Sequence, residues 1–304
     1  MKMKIACGLG LLTLGFCASL QAEPRWSKER ALAWSSREPW LVGCNFIPST
    51  AINQLEMWQA DTFDAATIDR ELGFAESVGM NVVRVFLHDI AWEEDAAGFK
   101  ERIGRFLGLA EKHHIRAMFV LFDSCWNDHP KPGKQPSPKP GVHNSGYLDA
   151  VVPLLKAVFA WAREANPDQP LTSGLWHDHP MSNDVMLENS DVVTFHDYDP
   201  ADKLEAHIER LEKMGRPLIC TEYMARTRGS LFETSLPVFK RHHVGALNWG
   251  LVKGKTNTIF AWNAPLPDQD EPPVWFHDIF RPDGTPFKAS EVEFLKSITT
   301  RPGR

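Results

Sequence analysis

The chain has 304 residues, 43% of them apolar and 24% charged, which excludes a disordered or collagen-like polymer and suffices for one domain with a sizeable core. Its 33 Lys and Arg against 39 Asp and Glu give a net charge of −6 without a basic run, which argues against nucleic-acid binding by bulk electrostatics. The 11 Trp against 3 Tyr point to a large core, a flat-faced ligand, or both.

Lys2 and Lys4 precede an apolar run from Ile5 to Leu20, closed by Ala18-Ser19-Leu20-Gln21-Ala22. A positive start, a short apolar middle and a small residue at the cut describe a secretory signal peptide, with cleavage expected near Ala22. The run is too short for a comfortable membrane span. Residues 1–22 are therefore expected to be a leader and 23–304 a single periplasmic or secreted domain, with no membrane contact after cleavage. Cys44, Cys125 and Cys220 then remain, enough for one disulfide at most. Cys44 and Cys220 stand in apolar runs and read as buried small hydrophobes.

The elements alternate. Leu41–Ile47 reads as a strand, Thr67–Val78 as a helix, Asn81–Leu87 as a strand, Phe99–His113 as a helix and Ile115–Phe122 as a strand. A long loop rich in Pro and Lys follows. Then come helix Leu148–Glu164, short strands Leu171–Trp176 and Asp191–Phe195, and helix Ala201–Met214, ended by Gly215 and Pro217. A strand from Pro217 to Tyr223, helix Ser230–His242, strand Val244–Leu251 and helix Glu291–Ile298 complete the chain.

Continuous apolar strands between helices indicate a parallel sheet covered on both faces, either doubly wound or a (β/α) barrel. No glycine-rich loop follows the first strand, where Asn45-Phe46-Ile47-Pro48 stands, which argues against a dinucleotide fold. Polar and aromatic residues recur at strand C-termini: Arg84 and His88, Asp123, Trp176, His196 and Tyr198, Glu222, Trp249. A barrel gathers such ends at one mouth, where active sites form.

The segments Asn81-Val82-Val83-Arg84-Val85-Phe86, Phe195-His196-Asp197-Tyr198, Cys220-Thr221-Glu222-Tyr223 and Leu247-Asn248-Trp249-Gly250 stand in this order. From Trp40 onward the chain resembles the cellulase-type glycoside hydrolases, family 5 of clan A. The resemblance implies retaining hydrolysis of β-linked sugars without a cofactor, two carboxyls flanking the bond about 5–5.5 Å apart. It implies Glu222 as the nucleophile, with Arg84 keeping it ionised and Tyr198 donating to it. His196 would line the cleavage subsite and Trp249 would lie under the sugar ring. Trp126, Trp176 and His88 are further expected substrate contacts, and carbohydrate is the expected partner.

One departure is large. The family carries an Asn-Glu pair, its general acid and base, at the end of the fourth strand, and this sequence has no Asn-Glu dipeptide. The third helix and fourth strand are missing from the pattern, so an incomplete (β/α)8 TIM-barrel-like fold of about seven strands is expected. Three readings stay open. The chain is a deletion of an active hydrolase; or it is a sugar-binding relative; or Asp123, Asp128 or Asp178 supplies the acid. His177-Asp178-His179 has no third ligand at a diagnostic spacing, so no metal is expected. No Gly-x-Ser-x-Gly supports a serine hydrolase.

Overall fold

A computed structural model describes residues 25–121, 123, 129–146, 155–175, 180–262, 266 and 269–300. The chain enters through α1 (Lys28–Arg37), capped by Ser27, and β1 (Val42–Asn45). Then follow α2 (Gln54–Trp58), α3 (Ala65–Ser77), β2 (Val82–Phe86), α4 (Asp89–Glu94), α5 (Ala96–Lys112) and β3 (Arg116–Val120). Beyond the long loop come α6 (Leu155–Glu164), β4 (Gly174–Leu175), α7 (Pro180–Asn189), β5 (Val193–His196) and α8 (Ala201–Glu212). The chain closes with β6 (Leu218–Tyr223), α9 (Phe232–Arg241), β7 (Gly245–Trp249) and α10 (Ala289–Thr299).

The seven strands form one sheet in the order β3-β2-β1-β7-β6-β5-β4, and every pairing is parallel. The first strand lies beside the last, as barrel closure requires. Among the described residues the sheet is therefore a curled, incomplete (β/α)8 barrel whose opening lies between β3 and β4. Close strand contact fixes one glycine: a Cβ on Gly43 would stand 1.7 Å from the Val82 carbonyl oxygen of β2. Any side chain there separates β1 from β2.

Side chains alternate across the sheet. Cys44, Val83, Val85, Phe195, Cys220 and Ala246 point outward into the main core under the helices. Val82, Val192, Ile219 and Leu247 point inward and plug the base with Trp34 of α1, Leu41 and Met118. The helices show why the strands read as unbroken apolar runs: both faces of β1 and β7 are buried.

Several boundaries differ from the sequence reading. The expected strand Leu171–Trp176 contracts to the two residues of β4. Helices α1, α2, α4 and α7 had no counterpart in the sequence reading. The segment KERALAWSSR of α1 buries only Ala31 within the helix, so it lacks the apolar stripe that marks a helix. The first part of the expected helix Leu148–Glu164 lies outside the described residues, as does Cys125. Cys44 and Cys220 are buried free thiols.

Candidate active site

Glu222 reaches the barrel interior through an irregularity of β6. Against β7, Cys220 pairs with Ala246 and Tyr223 with Asn248, so two residues of β6 face one of β7. Against β5, Phe195 pairs with Cys220 and His196 with Glu222, leaving Thr221 as the extra residue. This is a β-bulge, which re-aims the side chains after it. Strict alternation from inward Ile219 and outward Cys220 would turn Glu222 out toward the helices. Instead Thr221 and Glu222 both line the interior cavity, and Tyr223 packs outward on Phe232 and Phe239 of α9.

Three side chains surround the carboxylate. Arg84 Nη1, from β2 three strands along the sheet, donates to Oε1 at 3.0 Å. The Tyr198 hydroxyl donates to Oε2 at 2.9 Å. His196 Nδ1 lies 3.3 Å from Oε2. Burial raises the Glu222 carboxyl above its ordinary range, while the Arg84 charge and the Tyr198 hydroxyl pull it back. Burial and the nearby Arg84 push His196 well below its usual value, so it stands as neutral imidazole and its contact is not an ion pair. Burial, then the Glu222 charge, raises Tyr198 well above the usual phenol, which keeps its proton in place as a donor.

Trp249, at the end of β7, lines the same cavity and sets its ring edge-on to Phe86, 5.7 Å between centroids. The cavity encloses about 2580 Å³ and runs from this mouth toward the base, reaching both sheet edges. Asp123, just past β3, lines it as well. His88 is placed differently. It is buried, caps α4 by accepting from Ile90 N at 3.2 Å, and is not among the residues lining the cavity. Trp126, Trp176, Asp128 and His177-Asp178-His179 lie outside the described residues. Among the described residues no group of three or more His, Cys, Asp or Glu is disposed to hold a metal ion. None of their helices is long and apolar enough to cross a membrane.

Residues unmarked in the sequence complete the mouth. Trp262 lines the cavity and stands perpendicular to Tyr198 at 4.7 Å between centroids, braced by Phe276 at 4.8 Å. His277 Nδ1 donates to Met224 O, 2.6 Å away, and burial drives its pKa well below the usual value. This loop after β7 carries no periodic pattern, which is why its aromatics gave no signal.

No family model matches the chain, and no curated protein matches it in sequence. Solved structures match it in fold. An exo-β-1,4-mannosidase from Opitutaceae bacterium strain TAV5 superposes with a TM-score of 0.54 at 17% identity, over 85% of this chain and 59% of that one. This chain thus spans well under two thirds of that mannosidase. A GH5_18 variant from Streptomyces cattleya in complex with Manβ1-4GlcNAc gives a TM-score of 0.52 at 11% identity, over 85% of this chain and 80% of that one. The GH5_18 protein of the same organism with GlcNAc gives 0.50 at 12%, over 86% and 81%. The fold of this chain is accordingly that of the family 5 glycoside hydrolase barrels, open along one seam.

Proposed function

We propose that the chain is an exported glycoside hydrolase acting on a β-linked polysaccharide or oligosaccharide of the cellulose, xylan or mannan type by a retaining double displacement. The observation that carries this reading is the Glu222 carboxylate, turned into a large cavity by a bulge and held by Arg84 and Tyr198. In the first step Glu222 attacks the anomeric carbon, and the glycosidic oxygen leaves with the bonding pair and a proton. In the second, water attacks the anomeric carbon, the Glu222 carboxylate leaves with the bonding pair, and the water's proton passes to the group that protonated the leaving oxygen. Trp249 offers an apolar indole against the CH face of the ring at this subsite. The fold neighbours, an exo-β-1,4-mannosidase and a GH5_18 variant in complex with Manβ1-4GlcNAc, support testing mannans first.

The leaving group needs a proton donor. Asp123 lines the same cavity and is the described carboxyl proposed for this role, with Asp128 and Asp178 as the other acids that the sequence offers. Incubation with mannan, xylan and cellulose, reading reducing ends and the anomeric configuration of the first product, tests the proposal. Turnover with retention, abolished in Glu222→Gln, is the expected result. No release from any of the three defeats it.

The open seam favours a second reading. The family's acid stands on a fourth strand, and the sheet has its opening between β3 and β4. A chain that keeps the nucleophile side alone would bind oligosaccharides without cutting them. Calorimetric titration with mannan, xylan and cellulose oligomers separates the two, since binding without product marks the non-catalytic relative.

A further inference from the structure

A bulge takes backbone groups out of the ladder, and a buried carbonyl left without a donor destabilises the fold. At β6 a donor comes from two strands away. Asn45 Nδ2, at the end of β1, donates to Thr221 O at 2.8 Å and to Asn248 O at 3.2 Å. Thr221 is the extra residue of the bulge and precedes Glu222. The Asn45 Oδ1 accepts from Arg84 Nη1 at 2.9 Å, and the same nitrogen donates to Glu222 Oε1. The two carbonyls demand the amide nitrogen, so the amide oxygen is left facing the guanidinium. The Asn45 side chain is buried, with the residue 5% exposed.

We propose that Asn45 is a positioning residue for Glu222, tying the bulge carbonyl to β1 while aiming the Arg84 guanidinium at the carboxylate. Its catalytic meaning rests on the hydrolase reading; its effect on the carboxylate does not. The side chain required is specific. An aspartate has no donor for the two carbonyls and competes with Glu222 for Arg84. Serine and alanine are too short to span the gap. Only a neutral amide of this length both donates and accepts.

The test reads the Glu222 carboxyl directly, by carbon-13 NMR on the full chain with labelled glutamate, its resonance assigned through its loss in Glu222→Gln. Parent, Asn45→Ala and Asn45→Ser are titrated. Cys44→Ala serves as control, since it opens a cavity on the outward face of the same strand. With Arg84 released, Glu222 loses part of its attraction to positive charge, and its proton affinity rises about tenfold in both Asn45 variants. Cys44→Ala leaves it within about twofold. Where the parent turns over a glycan, the acid limb of kcat/KM moves to higher pH in step, with kcat falling more than KM changes. A midpoint unmoved in either folded Asn45 variant overturns the proposal, as does an equal movement in Cys44→Ala. If neither Asn45 variant folds by circular dichroism, the residue is structural and the proposal falls as well. A parent without turnover defeats the hydrolase reading alone, because the titration still reports on Asn45.

Discussion

The β1-β7-β6 arc and the β3/β4 seam belong to one sheet but differ in almost every physical respect. Each residue of β1 and β7 is buried, and β6 is buried apart from the half-buried Glu222. Along β3 the first residue is exposed and the other four half-buried, and both residues of β4 are half-buried. The ion pair of Glu222 and the Asn45 network lie wholly on β1, β2, β6 and β7. The contacts to Glu222 Oε1 are thus concentrated where the wall is continuous. The dry arc raises the Glu222 carboxyl and strengthens the contacts that hold it, because low local dielectric amplifies both effects. A half-open seam cannot offer that environment.

The largest expected effect tests whether the arc is the working half. On the proposed hydrolase reading, in which Glu222 is the nucleophile, Glu222→Gln should lower glycan turnover by on the order of 10⁴-fold or more. Substrate binding by calorimetry should change far less. Equal losses in binding and turnover would show that the arc grips rather than reacts.

Next in size is the anchor that joins the seam to the arc. Asp191, two residues before β5, is fully buried and pairs with Arg163 of α6 through two hydrogen bonds of 2.7 Å each. It also accepts from Trp26 N at 2.7 Å and Leu171 N at 2.8 Å. Removing one partner of a buried pair leaves an uncompensated charge, so Asp191→Ala should cost about 3–5 kcal/mol in urea unfolding. Hydrogen exchange should quicken first at β4 and α6. A loss spread evenly over the sheet would instead make the barrel one cooperative unit.

The strands were legible because burial on both faces leaves largely apolar runs such as NVVRVFL and LVGCNFI, with Arg84 interrupting one such run and Glu222 falling near the end of another. The site was legible only in part. A one-residue bulge at Thr221 leaves no mark in a period-two pattern, so Glu222 was assigned inward by analogy of motif rather than by alternation. Asn45 falls inside the strand read as Leu41–Ile47 and carries no motif of its own; its contacts depend on partners 39 to 203 positions away. His88 followed an apolar strand just as a site residue does, but the backbone bends at that point into α4 and uses the ring as a cap. Long-range pairing of this kind is fixed by topology, which spacing alone does not contain.

The pH dependence sharpens the contrast at a smaller scale. Behind the arc, burial raises Glu71 of α3 to about 7, despite the Ser49 amide donating to it at 3.0 Å. Unfolded, this carboxyl returns to its ordinary value of 4.5. Between these values the folded chain holds a proton that the unfolded chain releases. The group's contribution is therefore most favourable below about pH 4.5 and is lost as pH rises through 7. Glu71→Gln should remove this term, flattening the parent's slope by up to about 1.4 kcal/mol per pH unit in that window. Denaturation midpoints of parent and variant at closely spaced pH values measure it, and parallel curves would reject it.

The smallest expected effect lies on the seam itself. Leu121, one residue past β3, is 47% exposed and follows a strand whose outer edge pairs with no other strand among the described residues. Exposed edges beside apolar side chains template association, and a charge placed there blunts it. Leu121→Lys should shift folding stability by no more than about 0.5 kcal/mol, as surface changes do. It should nonetheless slow concentration-dependent aggregation, read by light scattering on heating. The matching change on the arc, Leu247→Lys, buries an unpaired charge in the base plug and should abolish folding. If Leu121→Lys proves as damaging as Leu247→Lys, the seam is as tightly packed as the wall, and the division of the sheet into a dry arc and an open edge is wrong.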